Sequence, residues 1–285
     1  MTTADENSEL LGRQRVTNLK LPDRDLLKNA DQLLLYRYDI KQLFNTNYRH
    51  VDRFYYESRF LRMLNNITRT LSSGQILDLG CAQGNFSVSL AGKGYQMVGL
   101  DLRRFFIQYA KLRVEEEESE NLTFVVSSAE YLPIDSESFD GVILGELLEH
   151  TSKPKRMICE AKRVLKPGGY LFISTPNGER LTPNKRRTYR DLKRIKRNWK
   201  NIEFEPDTHV FEFLKDELEH LILVSNLELL SSSYMSLAKI AASILCPVPI
   251  SIRFLRKIED WLVGIPVIRR KIAGVIVCTC RKLET

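Results

Sequence analysis

Cysteine is scarce in this sequence and forms no pattern typical of disulfide or zinc sites. The 285 residues include five cysteines, none in a CxxC pair and none at the spacing of a disulfide framework. This argues against a disulfide-stapled scaffold and against a cysteine-ligated structural zinc. We therefore expect a protein of a reducing compartment, the cytoplasm.

Long apolar runs are also missing. The longest, IAASILCPVPISI (240–252), holds two prolines and is too short to span a bilayer. The opening MTTADENSELLGRQR lacks the basic-then-apolar order of a secretory signal. We expect neither a membrane span nor a secretory leader, and the remaining membrane hypothesis is contact at a membrane surface.

Basic charge is concentrated in one segment. Residues 185–200 hold nine Lys or Arg and one Asp, whereas the rest of the chain has 34 basic and 35 acidic residues. Within this segment, Tyr189, Leu192, Ile195 and Trp199 recur at helical spacing. The pattern predicts an amphipathic basic helix. It would face an anionic substrate or an anionic membrane, or pack its apolar stripe on the domain.

Strand-like and helix-like segments alternate in the middle of the chain. The predicted strands are 75–80, 95–101, 122–129, 139–146 and 169–176, and the helices between them are 84–93, 103–117 and 154–165. This alternation is typical of an α/β, doubly wound, Rossmann-like sheet. Two further strands near the C-terminus predict seven strands in all, mostly parallel, with an antiparallel edge strand.

The same patterns predict how the chain is divided. We expect a flexible N-terminus, a helical cap, a ligand-binding core, a basic lid insertion and the remainder of the core, which contains an apolar helical insertion. These parts occupy 1–24, 25–72, 73–178, 179–208 and 209–285, with the helical insertion at 237–272.

Two predicted strand ends carry residues suited to a nucleoside. DLGCAQG (Asp78–Gly84) has GxxxG spacing, which differs from the GxGxxG loop that cradles a pyrophosphate. Asp101 ends the next strand, where a carboxylate can accept hydrogen bonds from both ribose hydroxyls. We therefore predict a nucleoside ligand without a pyrophosphate.

Three stretches resemble, in the right order, the motifs of class I S-adenosylmethionine-dependent methyltransferases. They are ILDLGCAQGNFSVSLAGKGYQMVGLDL (76–102), SSAEYLPIDSESFDGVILGELLEH (127–150) and RVLKPGGYLFISTPN (163–177). The ELLEH at 146–150 is similar to the ExLEH of ubiquinone-biosynthesis O-methyltransferases. The resemblance implies S-adenosylmethionine as the cofactor and is strongest over residues 74–177.

The resemblance also implies roles for single residues. The methionine part of the cofactor would be held by Asp78 and the backbone around Gly80, Cys81 and Ala82, in a cofactor-binding turn that Gly80 and Gly84 open. The ribose would be held by Asp101, the adenine by Leu102, Ser128, Ala129 and Glu130, and the pocket under the sulfonium would be closed by Gly145 and Glu146. Two positions depart from the family pattern: Ala82 stands where glycine is common, and Ser128 where an acid is common. A hydroxyl binds an amino group more weakly than a carboxylate does.

The histidines are candidates for removing a proton from the methyl acceptor. His150 leaves the fourth predicted strand and is the leading candidate for the general base. The resemblance implies that His209 also faces the pocket, because a similar histidine precedes the helix before the sixth strand in many small-molecule methyltransferases. His50 and His220 are predicted to be surface or structural residues.

A divalent metal is an alternative use of the same residues. If a helical turn begins at Glu146, that residue shares one face with Glu149 and His150. Adding His209 gives two carboxylates and two imidazoles, a set suited to a metal such as magnesium. The arrangement resembles the ExxEH and distant histidine of small-RNA 3′-terminal 2′-O-methyltransferases. In the other interpretation, the glutamates line the pocket or the helix and hold no metal.

These patterns predict an S-adenosylmethionine-dependent methyltransferase acting on an oxygen of a small or lipid-like molecule. The alternatives are a metal-assisted RNA 2′-O-methyltransferase and a non-catalytic cofactor-binding subunit. The basic segment 185–200 and the apolar, basic-rimmed helices of 237–272 suit peripheral membrane contact. Basic residues interleaved with aromatic ones also suit RNA, although no RNA-binding module is recognisable.

Overall fold

A seven-stranded sheet forms the centre of the fold. The computed structural model describes residues 19–40, 51–114, 120–181, 187–191, 209–237 and 252–284. The strands are β1 (Gln75–Leu79), β2 (Gln96–Asp101), β3 (Leu122–Val126), β4 (Phe139–Gly145), β5 (Leu165–Pro176), β6 (Leu227–Leu237) and β7 (Ala273–Lys282). Their order is β3-β2-β1-β4-β5-β7-β6. This confirms the predicted doubly wound sheet.

Helices precede the sheet and connect most of its strands. They are α1 (Ala30–Asp39), α2 (Val51–Thr70), α3 (Asn85–Ala91), α4 (Arg104–Lys111), α5 (Pro154–Val164), α6 (Lys215–Leu223), α7 (Ile252–Gly264) and α8 (Pro266–Ile272). A 3₁₀ turn covers Leu148–His150. Helices α3, α4 and α5 each lie between two parallel strands, which cannot be joined by a short hairpin.

The strand directions confirm a mixed sheet. β2 pairs in parallel with β1 and β3, and β4 pairs in parallel with β5. β7 runs antiparallel to both of its neighbours, β5 and β6. The antiparallel pairing therefore lies at this end of the sheet, as predicted, with β6 as the outermost strand.

The chain forms two compact units that meet in sequence at Pro133. The first contains β1 to β3 and α1 to α4. Four of the five residues of β1 are buried, and three of these, Ile76, Leu77 and Leu79, are apolar, as expected for a central strand. A Cβ atom on Gly99 would lie 2.6 Å from the ring of Phe124, so the packing of β2 on β3 requires glycine at this position.

The second unit contains β4 to β7 and α5 to α8. Residues 273–280 of β7 are all buried, and neighbouring strands pair along both edges of β7. The backbone N–H of Leu237 donates to the buried carboxylate of Glu259 at 2.9 Å, which ties β6 to α7. On the same helix, Trp261 leaves 67% of its surface exposed.

Several predicted segments fall partly outside the described residues. These are 1–18 of the N-terminus, 41–50 of the cap, 182–186 and 192–208 of the lid with Leu192, Ile195 and Trp199, and 238–251 of the helical insertion. Of the apolar positions predicted for the lid helix, Tyr189 is described, and its ring packs 5.4 Å from Phe211 and 5.2 Å from Phe213. Among the described helices, none is long and apolar enough to cross a membrane.

Candidate cofactor and catalytic site

The glycine loop after β1 is a tight turn held against β2. The backbone N–H groups of Gly80 and Cys81 both donate to the carbonyl of Leu100, at 2.7 and 3.0 Å. Gly84, at the N-terminus of α3, has a φ of 77°, which glycine adopts without strain. The loop therefore places its backbone at the carboxyl ends of β1 and β2, where open α/β sheets bind ligands.

Ala82 occupies the position where the related motif commonly has glycine. Its φ of 46° lies in the left-handed region, so the backbone shape of the glycine motif is kept although the residue has changed. A left-handed alanine costs about 1 kcal/mol. The hydrogen bond from its N–H to the carboxylate of Asp101, at 3.1 Å, helps to hold it there.

Asp101 joins the loop to the end of β2. One carboxylate oxygen accepts from the N–H of Ala82, and the other accepts from the N–H of Arg103 at 2.9 Å. Burial raises the pKa of this carboxyl, while the two N–H donors counteract the rise. Each oxygen has a second lone pair, so the carboxylate can still accept two ribose hydroxyls, as predicted for this residue.

Asp78 is a buried carboxyl with an unusual pKa. It is 2% exposed and accepts a hydrogen bond from the Ser87 hydroxyl at 2.7 Å. Burial raises its pKa to about 6, the Ser87 bond lowers it, and the charge of Asp101 raises it slightly. An ionised Asp78 is therefore costly without a cation, and the ammonium group of a methionine moiety would relieve that cost.

Exposed apolar side chains follow the ends of β2 and β3. Leu102 is 70% exposed, although it comes directly after the buried Asp101. Tyr131 is 58% exposed and close in sequence to Ala129, which is itself buried. The Ser128 hydroxyl accepts from the N–H of Glu130 at 3.2 Å and so shapes this turn.

The first unit thus fits a flat, cationic nucleoside ligand. Leu102 offers an open apolar surface for a base, Asp101 offers acceptors for a ribose, and Asp78 offers a carboxylate whose ionisation a cation would favour. These are the parts of S-adenosylmethionine that the motifs predicted.

The remaining predicted cofactor contacts lie in the second unit, at the end of β4. Gly145 is the last residue of that strand and pairs with Ser174 of β5. Glu146 follows in the left-handed region with a φ of 53°, and its N–H donates to the carbonyl of Ser174 at 2.8 Å. A left-handed glutamate is uncommon and marks a sharp exit from the strand.

Glu149, His150 and His209 form one cluster in the second unit. One ligand atom from each lies within 4.8 Å of the other two. The two imidazole rings are 4.9 Å apart and perpendicular, and Glu149 is fully buried. The sequence predicted these three residues together; the predicted fourth member, Glu146, lies before the turn and is not in this group of the described residues.

Backbone and side-chain hydrogen bonds bring the cluster together. The N–H of Val210 donates to the carbonyl of Glu149 at 2.8 Å, which places His209 beside the 3₁₀ turn. The Thr175 hydroxyl donates to the Glu149 carboxylate at 3.0 Å and orients it from β5. His220, in contrast, is an exposed residue of α6, and His50 lies outside the described residues.

A buried ion pair that sequence reasoning missed lies behind His209. Glu212 is fully buried, and a carboxylate oxygen accepts from Arg180 at 2.7 Å. The same oxygen is 3.7 Å from Nδ1 of His209. Removing one partner of a buried pair typically costs about 3–5 kcal/mol. No local pattern distinguishes Arg180 or Glu212 from surface charges.

Part of the chain matches a known family and curated relatives. Residues 77–173 match the family described as methyltransferase domain, which is about a third of the chain. The ubiquinone biosynthesis O-methyltransferases of Coxiella burnetii and Xanthomonas oryzae are 38% and 39% identical to it over 108 residues. That stretch is 38% of this chain and 46% and 45% of those relatives, so the match spans about half of their length.

Solved structures share the fold over a larger part of the chain. The [4+2]-cyclase SpnF has a TM-score of 0.55 at 19% identity, covering 79% of this chain and 81% of its own. The protein PH0226 of Pyrococcus horikoshii has a TM-score of 0.54 at 18% identity, covering 87% and 98%. The predicted resemblance to S-adenosylmethionine-dependent methyltransferases is confirmed for the segment that carries the motifs. A methyltransferase domain of this kind implies S-adenosylmethionine as the cofactor.

Proposed function

We propose that this protein transfers a methyl group from S-adenosylmethionine to an oxygen atom of a small or lipid-like molecule. The observation that carries the proposal is the loop from Asp78 to Gly84 tied to Asp101, in a segment that matches a methyltransferase domain. The names of the curated relatives, ubiquinone biosynthesis O-methyltransferase, support oxygen as the acceptor atom.

The residues of the chain would supply position and proton transfer. When bound, S-adenosylmethionine supplies a methyl group on a positively charged sulfur that is already a good leaving group. His150 or His209 would take the acceptor's proton while the acceptor oxygen forms its new bond to carbon. Since a phenol has a pKa of about 10, imidazole assists its ionisation far more readily than that of an aliphatic alcohol. We therefore propose an aromatic hydroxyl as the acceptor.

A turnover assay on the full chain tests this proposal. The protein is incubated with S-adenosylmethionine and a panel of phenols and catechols, with and without apolar tails, and with saturated alcohols of matched shape. We expect at least one aromatic hydroxyl to give methyl ether and S-adenosylhomocysteine in equal amounts, and the matched alcohol to give neither. Tight cofactor binding without methylation of any acceptor would instead support the non-catalytic alternative.

The cluster of Glu149, His150 and His209 supports a second candidate, metal-assisted methylation of a ribose 2′-hydroxyl in RNA. One carboxylate and two imidazoles within 4.8 Å suit a divalent transition metal such as Mn²⁺ or Zn²⁺ better than Mg²⁺, which prefers oxygen ligands. A metal would lower the pKa of the bound hydroxyl and so replace a histidine base.

Metal analysis tests this candidate. The full chain is equilibrated with Mn²⁺ or Zn²⁺, desalted and analysed by elemental mass spectrometry. The candidate predicts one ion per chain, which Glu149→Gln loses and the control His220→Gln keeps. It also predicts metal-dependent methylation of a short RNA with a terminal 2′-hydroxyl but not of its 2′-deoxy form. A metal-free chain with full turnover on a phenol would eliminate it.

A further inference from the structure

Arg113 is a buried cation that touches the glycine loop of the first unit. It follows α4 and is 2% exposed. One guanidinium nitrogen, Nη1, donates to the backbone carbonyl of Gln83 and to the side-chain oxygen of Asn85, both at 2.7 Å. These two residues flank Gly84. Arg113 therefore holds both sides of the position at which the loop turns into α3.

The same side chain also holds residues Leu19–Asp39, which we call the N-terminal segment. Its Nε donates to the carbonyl of Lys20 at 3.0 Å, and its Nη1 lies 3.7 Å from the carboxylate of Asp39. The hydroxyl of Tyr109 donates to that carboxylate at 2.7 Å. One guanidinium thus contacts this segment near its beginning and at its end.

Both charges of this network, Asp39 and Arg113, are buried. Burial raises the pKa of Asp39, and the charge of Arg113 and the Tyr109 hydroxyl lower it. Paired charges in a core contribute little net stability compared with apolar residues of the same size. A planar guanidinium does, however, fix several acceptors in one defined geometry.

We infer that Arg113 is a positioning residue that couples docking of the N-terminal segment to cofactor binding. The inference rests on the proposed function, because the loop that Arg113 holds is the loop that would bind S-adenosylmethionine. Coupling of this kind is reciprocal: if the docked segment stabilises the binding shape of the loop, the bound cofactor stabilises docking by the same factor. The segment would then leave and return more readily in the absence of cofactor.

Proteolysis and calorimetry of the full chain test the coupling. Outside helix α1 the segment offers trypsin two exposed sites, Arg24 and Lys28, whereas the exposed Arg37 lies within that helix. We expect S-adenosylhomocysteine to slow cleavage at these sites about tenfold in the wild type and much less in Arg113→Lys. Arg113→Lys should also bind S-adenosylhomocysteine about tenfold more weakly. Arg163→Lys is the matched control, since that guanidinium bridges Glu160 and the carbonyl of Ile134 in the second unit.

A second variant keeps the inference testable if Arg113→Lys fails to fold. Asp39→Asn removes the charge that the N-terminal segment presents to Arg113 and leaves the glycine loop unchanged, and it too should speed cleavage and weaken binding. The inference is overturned if S-adenosylhomocysteine leaves cleavage at Arg24 and Lys28 unchanged in the wild type. It is also overturned if folded Arg113→Lys binds as tightly as Arg163→Lys. A wild type that binds no S-adenosylhomocysteine would refute the proposed function itself, which is a different result.

Discussion

Asp78→Asn is expected to weaken binding of S-adenosylhomocysteine at pH 8 while making the cofactor-free protein harder to unfold. The affinity for S-adenosylhomocysteine falls because asparagine carries no charge to pair with an ammonium group. A charge-assisted hydrogen bond contributes about 1.5–3 kcal/mol, or roughly 10- to 100-fold in affinity. Calorimetric titration of wild type and variant measures this effect. Asp135→Asn, at an exposed position, is the control.

The gain in stability follows from the raised pKa of Asp78. The folded pKa is about 6 and the ordinary value is 3.8, so the folded chain holds an extra proton between these pH values. The contribution of Asp78 to stability is therefore complete below the ordinary pKa and is lost as the pH rises through 6. At pH 8, Asp78→Asn should raise the free energy of unfolding by about 3 kcal/mol. Equal stability at pH 8 would contradict the raised pKa.

The same group gives cofactor binding a distinct pH dependence. Below pH 6 the free protein carries a protonated Asp78. Binding of an ammonium group then requires that proton to leave, and affinity should fall about tenfold between pH 7.5 and pH 5. Asp78→Asn should show little of this fall. A wild-type affinity that is flat over this range would show that Asp78 does not face the ammonium group.

His150→Gln or His209→Gln is expected to lower the rate of methyl transfer by about 10²- to 10⁴-fold, the range typical of a lost general base. Binding of S-adenosylhomocysteine should stay near the wild-type value, because neither histidine is among the predicted cofactor contacts. Steady-state rates with an active phenol, together with calorimetry, separate the two effects. The variant that lacks the base should regain rate as the pH approaches the pKa of the phenol.

Two outcomes would count against the histidines. Turnover unchanged in both single variants would remove them from the chemistry. A loss of cofactor binding equal to the loss of rate would indicate structural damage, for instance through the nearby pair of Glu212 and Arg180. His220→Gln, an exposed change on α6, shows the effect of removing a histidine elsewhere in the second unit.

The sheet could be predicted from sequence because its strands carry strong local patterns. Gln75–Leu79 and Phe139–Gly145 are short strands whose residues are mainly apolar and buried, each followed by glycine or an acid, and burial of the central strands requires such residues. The exact ends were less predictable: β3 ends at Val126, three residues before the predicted end, because the turn after it is shaped by hydrogen bonds of Ser127 and Ser128.

The residues of the site likewise fall into two groups, those that a local sequence pattern predicts and those that it does not. Asp101 and the glycine loop were predictable because spacing along the chain defines them, and Glu149 and His150 because they are adjacent. His209, 59 positions after His150, was placed only by the family resemblance. Arg113 and Glu212 could not be predicted, since each acts through partners distant in sequence and neither has a local signal. Their burial becomes visible only when the chain is folded.

The central claim is that the first unit binds S-adenosylmethionine through Asp78, Asp101 and the loop between them. Its most direct test is a calorimetric titration of the full wild-type chain with S-adenosylhomocysteine at pH 7.5, with NAD as the comparison. We predict saturable binding of one S-adenosylhomocysteine per chain and none of NAD, because the GxxxG loop lacks the glycine spacing of a pyrophosphate site. Binding of NAD, or no binding of S-adenosylhomocysteine, would contradict the claim.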